Sequence, residues 1–383
     1  MYILLLFILG FNHFQLLSES VKNSSPACYI MQQDQASILG KVFDNEKNPL
    51  AYATIFIANS TIGTISDKNG SFQLNNIPFG QHILVVSFVG YETYKKNLTI
   101  NKTVFEQNIV LTPSLVELEL IEIVGRKSRN RWKSNFRKFR NYFIGTTPNA
   151  NECVILNPEI LRFHIDRESN ILSATADDML IIENRALGYT VQYVLELFEL
   201  RPDGSNIYLG KEKFEPLVPQ NINEEQKWGK NRKEAYNGSF RHFMSSLAEN
   251  SLKKEGFLVI ETNEIIPFAN QKREENNPEL TLSGGNNLFV NSTLQEYEKL
   301  LEYSSNYLHI RYIYESDKLK AMGYQRTIDK SQPYQESWMR RMSNRTIFHT
   351  DGYLYHPGSV MVYGYWAKEK IAEALPLDYF PQE

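Results

Sequence analysis

The residues best suited to chemistry lie close together near the C-terminus: His349, Asp351, Tyr353, Tyr355 and His356. Imidazole and carboxylate groups this close in sequence could contact one metal ion, because both are metal ligands in proteins. The same stretch contains Asp351-Gly352 and His356-Pro357-Gly358, which are common turn sequences. The spacing therefore favours two ordinary turns over a metal site.

Several catalytic motifs are missing from the sequence. A metallocarboxypeptidase would need Glu three residues after a zinc-binding His, and this Glu is missing after each of His82, His164, His242, His309, His349 and His356. His-Glu-x-x-His, Gly-x-Ser-x-Gly, the P-loop and Gly-x-Gly-x-x-Gly are missing as well. We therefore predict no catalytic, cofactor-binding or metal-binding residue and no enzymatic activity. His242, beside Phe243 in a predicted helix, is interpreted as a core histidine.

The cysteines and the turn that contains Asp67 give little further indication of a catalytic or metal-binding site. Cys28 and Cys153 are the only cysteines, too few for a disulfide framework or a zinc site. A Cys28–Cys153 bridge remains an alternative to a single buried thiol. Asp67-Lys68-Asn69-Gly70 lacks the run of oxygen ligands that calcium needs in an EF-hand, and we predict a turn there.

Composition and the N-terminus indicate an exported protein. The chain has 383 residues, a net charge of −3 and an apolar fraction of 42%, so two or three packed domains are expected. Residues 2–17 are nearly all apolar, which predicts a signal peptide that ends near residue 20. No later run approaches the length of a membrane-spanning helix.

From residue 37 to 112 the sequence alternates short apolar segments with turn residues. Phe72 and Leu74 flank Gln73, the period-2 alternation of a half-buried strand, and Gly70 suits a turn with positive φ. Turn residues recur too often for helices, so we predict a small β-sandwich.

Several spaced positions in this segment also match a known family: Gly40-x-Val42, Pro49-Leu50-x-x-Ala53-x-Ile55, Gly63-Thr64-x-Ser66-Asp67-x-x-Gly70-x-Phe72, Ile77-Pro78-x-Gly80 and Ser87-x-x-Gly90-Tyr91. This pattern resembles the carboxypeptidase-D regulatory-like domain. The resemblance implies a transthyretin-like (prealbumin-like) sandwich whose interior holds Ala53, Ile55, Phe72 and Phe88. It also implies an exported protein of the Bacteroides group of bacteria, in which such domains often precede outer-membrane receptors or uncharacterised regions.

Residues 113–149 are predicted to be a linker followed by a basic helix. Between residues 126 and 140 eight basic residues occur without an acidic one, and Trp132, Phe136, Phe139 and Phe143 recur at helical spacing. Such a helix can pack its aromatic face on the next domain and leave a solvated basic face. The alternative is a peripheral contact of the stretch 126–140 with anionic lipid or polysaccharide.

Residues 150–383 are predicted to form a β-rich domain with a few helices. The predicted helices are Trp228–Lys254, capped by Gly256, and Ala367–Leu375; residues 268–290 are predicted to be a loop. The segment from Trp228 to Phe243 resembles one common in regions that follow this domain in Bacteroides-group proteins, and the tail resembles their usual end.

Together these observations predict a mainly β chain with a binding or assembly role in the cell envelope, located in the periplasm or at the outer membrane and cell surface. The expected partner is an envelope protein or polysaccharide rather than nucleic acid. The alternatives are a carbohydrate-binding protein and an envelope hydrolase with its site in residues 150–383.

Overall fold

The computed structural model describes residues 35–114, 126–265, 289–292, 297–314 and 334–381. The predicted signal peptide, Cys28 and most of the predicted loop 268–290 lie outside these residues. The described residues belong to one compact unit that begins at Gln35. Their strands form five sheets and their α-helices are few, which confirms the mainly β prediction. None of the described helices has the length and apolarity to span a bilayer.

Eight strands form the N-terminal sandwich: β1 (Gln35–Phe43), β2 (Thr54–Ile57), β3 (Gly63–Ile65), β4 (Ser71–Pro78), β5 (Gly80–Ser87), β6 (Tyr94–Ile100), β7 (Val104–Glu106) and β8 (Ile109–Val110). One sheet has the order β4-β1-β7, with β8 also on β1, and the other has the order β3-β2-β5-β6. Alternation turns one side of each strand inward, so Ala53, Ile55 and Phe72 enter the core as predicted. Phe88 is only partly buried against it.

The pattern of apolar and turn residues also predicts a turn at Ile77–Gly80, a last strand at Phe105–Leu111 and no strand between Tyr91 and Phe105, and the sandwich differs from each of these predictions. The predicted turn Ile77–Gly80 is a tight link between β4 and β5, with Gly80 at φ 142°. The predicted last strand, Phe105–Leu111, is divided into β7 and β8, which both pair parallel with β1. Strand β6 is missing from the prediction because Lys95 and Lys96 interrupt its apolar pattern.

The outer face of β2 and β5 is covered by the rest of the chain. Phe56, Ala58 and Val85 are at most 5% exposed, and Met179 and Val194 pack against them. Apolar side chains on both faces of these strands explain why they are nearly continuous hydrophobic runs. The sandwich is therefore joined to the middle of the chain through a hydrophobic contact.

A third sheet forms the middle of the chain from β9 (Cys153–Ile155), β10 (Leu161–Ile165), β11 (Leu172–Ala176), β12 (Leu180–Asn184), β13 (Tyr189–Leu200) and β14 (Asn206–Pro216). Strand β13 pairs with β14 on one edge and with β11 and β12 on the other. The alternation of polar and apolar residues from Gly188 to Phe198 predicts a long strand, and β13 is the longest strand of this sheet.

Helix α1 (Arg126–Phe143) lies on this middle sheet. Phe139 and Phe143 are fully buried, and their rings contact Phe198 and Tyr193 respectively. The indole N–H of Trp132 donates to the Leu161 carbonyl oxygen at 3.1 Å. The predicted aromatic face thus packs on the neighbouring domain.

The predicted helix Trp228–Lys254 is instead two helices, α2 (Ile222–Tyr236) and α3 (Phe240–Ala248). Gly238 between them has φ 72°, and the Ser239 hydroxyl caps α3 by accepting from the main-chain N–H of His242. Gly256 does not cap either helix; it lies in the turn before the next strand.

Two sheets complete the C-terminal region: β15 (Phe257–Thr262), β18 (Tyr307–Tyr312), β19 (Gln335–Arg341) and β21 (Val360–Gly364) in one, and β16 (Phe289–Ser292), β17 (Glu298–Glu302) and β20 (Thr346–His349) in the other. Strand β16 includes residues 289 and 290, which the sequence prediction placed in a loop. Helix α3 packs on this region through Phe243 and Leu247, which share a core with Ile310 and Phe348.

The C-terminal tail contacts the C-terminal core, the middle core and the sandwich. Trp366 is buried in the C-terminal core, Ile371 is buried in the middle core, and the Leu377 N–H donates to the Asn59 carbonyl oxygen of the sandwich at 2.8 Å. The predicted helix over Ala367–Leu375 is instead two 3-10 turns, Trp366–Lys368 and Ile371–Glu373. They are separate because Lys370 between them is extended.

Candidate functional site

The predicted constellation lies where the C-terminal region meets the sandwich. His349 ends β20, and Asp351 and Tyr353 follow it in the next turn. Strand β5 of the sandwich contributes Gln81 and His82. These side chains line a cavity of about 20 Å³ together with Ala58, Ile83 and Leu377. That volume suits one water molecule and is far too small for an organic substrate.

His349 and Asp351 form the central pair of this junction. The Nδ1 atom of His349 lies 3.0 Å from Oδ1 of Asp351 and accepts from the main-chain N–H of Asp351 at 3.2 Å. The Nε2 atom of His349 is buried and has no hydrogen-bond partner among the described residues.

His82 approaches the same point from the sandwich. Its Nε2 atom lies 2.7 Å from the carbonyl oxygen of Pro78 and donates to it. A Cβ atom on Gly80 would lie 3.2 Å from Nε2 of His349 and 3.8 Å from Nε2 of His82. Glycine thus allows both imidazoles to approach the start of β5.

The pKa shifts in this junction follow from burial and from neighbouring charges. Burial lowers the pKa of His82 below its ordinary value, the Pro78 carbonyl opposes this, and the nearby His349 lowers it further. Burial opposes the ionisation of Asp351. The hydrogen bond and charge of His349, with a contribution from Arg241, nevertheless bring the pKa of Asp351 below its ordinary value. The junction therefore favours a neutral His82 and an ionised Asp351.

The other two predicted residues have different surroundings. Tyr355 has a buried hydroxyl next to Glu298, and burial raises its pKa strongly. His356 is exposed and precedes the 3-10 turn Pro357–Ser359. The structure therefore places His349, Asp351 and Tyr353 in the lining of one cavity. His356 lies outside that lining.

The His349–Asp351 pair has the geometry of a base with its orienting acid. Such a pair needs a nucleophile or an activated water beside a substrate pocket, and the side chains that line this cavity include no Ser, Thr or Cys. Among the described residues, no three His, Cys, Asp or Glu side chains are arranged to hold a metal ion. The bond between His349 and Asp351 therefore stabilises the turn in which both residues lie.

Glu212 adds a second titratable group where the sandwich meets the middle sheet. Its main-chain carbonyl accepts from the Asn59 N–H at 2.6 Å. Burial raises the pKa of Glu212 to about 7, and Lys211 only partly offsets this. Burial together with the charges of Glu212 and Asp351 raises the pKa of Tyr353 to about 12. These titratable groups are therefore close enough to influence one another.

A separate polar cluster lies on the C-terminal sheet. His309 and Glu336 are each 5% exposed, and Nε2 of His309 lies 3.3 Å from Oε1 of Glu336. The Nε of Arg311 donates to the same oxygen at 3.0 Å. Trp338 stacks on His309 with ring centroids 4.7 Å apart. Sequence analysis missed this cluster; the alternation of β18, which places His309 and Arg311 on one face, was its only signal.

The remaining candidate residues have structural surroundings. His242 is buried; it accepts from the Gly238 N–H at 3.1 Å and contacts the Phe257 ring, as expected of a core histidine. Cys153 is a buried free thiol whose pKa burial raises to about 12. The Asp67 carboxylate accepts two main-chain N–H groups of its own turn. Each of these side chains therefore stabilises the fold locally.

Glu373 anchors the tail to the segment that follows α1. Its carboxylate accepts from the Thr147 hydroxyl at 2.5 Å and from the Asn149 amide at 2.7 Å. Burial raises its pKa, and these two hydrogen bonds partly offset the shift. This carboxylate therefore holds the tail in place.

Comparison with known proteins identifies one part of the chain. Residues 38–123 match the family model of the CarboxypepD_reg-like domain. No curated protein matches the sequence. Similar solved structures include a type II cohesin–X-dockerin complex from Acetivibrio cellulolyticus, at 16% identity over 20% of this chain and 58% of that one, with a TM-score of 0.19.

Two further structures show the same low similarity. 3-Chlorocatechol 1,2-dioxygenase from Rhodococcus opacus 1CP has 15% identity over 21% of this chain and 60% of that one, with a TM-score of 0.19. The major pilin subunit BcpA of Bacillus cereus has 16% identity over 21% and 30%, with a TM-score of 0.18. The chain thus spans less than two thirds of these proteins, and we draw no functional conclusion from them. The family match and the two packed sheets together identify the N-terminal sandwich as a CarboxypepD_reg-like domain.

Proposed function

We propose that this chain is an exported, non-catalytic binding and assembly protein of the cell envelope in a bacterium of the Bacteroides group. The observation that carries this proposal is how the chain uses its chemically capable residues. At the junction, His349 pairs with Asp351, and His82 bonds to the Pro78 carbonyl around a cavity of about 20 Å³. These bonds lie within their own regions, and the Gln81 amide of β5 donates to the Glu298 carboxylate of β17 at 2.6 Å, which joins the sandwich to the C-terminal region beside this cavity.

The compactness of the described residues, which belong to one unit, supports an assembly role. The tail contacts the middle core, the C-terminal core and the sandwich, and the outer face of β2 and β5 is buried against the middle sheet. A protein whose surfaces are held at fixed distances loses little conformational entropy when it binds its partners.

The test is affinity capture of the tagged, mature chain from cross-linked cell envelopes, followed by mass spectrometry. The matched control is the same tagged chain without cross-linker. A reproducible protein partner, with or without attached glycan, supports the proposal. Glycan alone would reassign the chain to carbohydrate binding, and a chain found in the cytoplasmic fraction would overturn the proposed export.

Carbohydrate binding is the second candidate, and the C-terminal sheet favours it. The Tyr307 and Tyr363 rings lie 6.1 Å apart on the face that also carries Trp338, and the Arg340 guanidinium lies 5.8 Å from the Tyr307 ring. Aromatic rings beside hydrogen-bonding groups suit stacking on sugars. A glycan array tests this: binding that Tyr363→Ala abolishes would support it, and an array without a bound glycan would exclude it.

A further inference from the structure

Helix α1 has an exposed basic face. Five arginine and lysine side chains on its described part are exposed, and the helix contains no acidic residue: Arg129, Arg131, Lys133, Arg137 and Lys138. No carboxylate among the described residues forms an ion pair with them. Within the described part of the chain, no ion pair therefore neutralises these five charges.

The spacing of these charges along the helix gives the face its shape. At about 100° per residue, Lys133 and Arg137 form one row, and Arg131 and Lys138 form a second row. The short, uncharged and exposed side chains of Asn130, Ser134 and Asn141 form the strip between the rows. From Asn130 to Asn141 the strip rises through 11 steps of about 1.5 Å, or about 16 Å. The long cationic side chains of the two rows thus extend further from the helix than the uncharged strip between them.

The buried side of α1 limits the kinds of partner that the helix can bind. An interfacial helix binds a membrane by inserting its apolar face among the lipids. Phe139 and Phe143 on that face are fully buried in the protein core, so this mode is closed to α1. The remaining binding mode is electrostatic attraction to the two parallel rows of cations. This arrangement fits a narrow anionic chain that lies between the rows better than it fits a flat anionic surface.

We propose that the outward face of α1 binds a linear acidic polysaccharide, a glycan chain that carries carboxylate groups and lies along the strip between the two cationic rows. This inference names the partner class of one surface, and it rests on the proposed function only for the location of the chain in the envelope. Arginine can bind a carboxylate with two hydrogen bonds, and lysine adds a point charge.

The test is the binding of fluorescein-labelled oligogalacturonate to the purified chain, followed by anisotropy at low and at physiological ionic strength. Each row is neutralised in turn, as Lys133→Gln with Arg137→Gln and as Arg131→Gln with Lys138→Gln. The matched control is Lys68→Gln with Lys253→Gln, two exposed lysines outside α1. Thermal melting of every variant checks that the fold is intact.

Loss of either row should weaken oligogalacturonate binding about tenfold at low salt, because each cation near an anionic surface contributes a several-fold factor. The control should bind like the natural chain, and neutral dextran should not compete. Binding by both row variants as tight as that of the natural chain would overturn the inference. So would tighter binding of phosphatidylcholine vesicles containing phosphatidylglycerol, or of single-stranded DNA. None of these results would affect the capture of a protein partner, so the two proposals can fail separately.

Discussion

The guanidinium of Arg241 in α3 donates to the carbonyl oxygen of Leu377 in the tail at 2.5 Å. It also donates to the Pro376 carbonyl at 2.8 Å and to the Asp351 carbonyl at 3.1 Å. One side chain thus connects a helix, the tail and the turn that carries the His349–Asp351 pair. Because the planar guanidinium has five N–H donors, arginine can serve all three acceptors at once.

Arg241→Ala should destabilise the chain by about 3 kcal/mol, because it leaves three partly buried carbonyl groups without this donor. Arg241→Lys should recover only part of this loss, since an ammonium lacks the fork geometry. Urea denaturation measures the loss, and limited proteolysis reports whether the tail is released. Arg345→Ala, at an exposed position, is the control and should change stability little. Equal effects at both positions would contradict the role of Arg241.

Gly238→Ala should destabilise the chain by about 3 kcal/mol or more. A Cβ at this position would lie 2.3 Å from the Gln335 side-chain oxygen and 2.6 Å from the Tyr312 ring, at a φ of 72° that alanine disfavours. Gly229→Ala in α2 is the matched control, because a Cβ there meets nothing within 4 Å. It should stabilise the chain by up to about 1 kcal/mol. A tolerated Gly238→Ala would contradict the break between the helices.

Glu212 should make stability fall as the pH rises. Its pKa is about 7 in the fold against an ordinary value of 4.5, so between these values the unfolded chain loses a proton that the folded chain keeps. Glu212→Gln should remove this penalty and stabilise the chain above pH 7 by up to about 3 kcal/mol, with little effect near pH 4. Thermal melting across this range measures it. Glu168→Gln, on an exposed turn, is the control. A pH-independent gain would show that Glu212 keeps its ordinary pKa.

His82 should have the opposite pH dependence. The fold lowers its pKa below the ordinary value of 6.5, so the unfolded chain binds a proton first as the pH falls. The stability that depends on neutral His82 is present above pH 6.5 and is lost progressively below it. His82→Gln keeps a donor for the Pro78 carbonyl and cannot be protonated. Its melting temperature should therefore fall less than that of the natural chain between neutral and mildly acidic pH, and parallel curves would contradict this.

The sequence predicted the sandwich well because its signals are local. Alternating apolar residues and turn glycines fix the strands, and the side chains that should fill the interior, such as Ile55 and Phe72, are buried there. The helical spacing of Phe139 and Phe143 similarly predicted α1 and its buried face. Regular periodicity was sufficient in both cases.

Longer-range features escaped prediction for a physical reason. The sequence predicts one helix where α2 and α3 lie, and the chain breaks at Gly238, where Tyr312 and Gln335 from distant strands approach closely. The tail has helical composition, yet it extends at Lys370 so that its two turns can enter different cores. Packing overrides local propensity at both places.

The sequence by itself determined the strand pattern, the amphipathic helix and the identity of the residues able to do chemistry. Only the tertiary structure placed His82 beside His349, because strands β5 and β20 are far apart in the chain and no local pattern encodes their contact. Folding also decided which protonation state such residues favour. Burial and neighbouring charges, and not residue type, lower the pKa of His82 and raise that of Glu212.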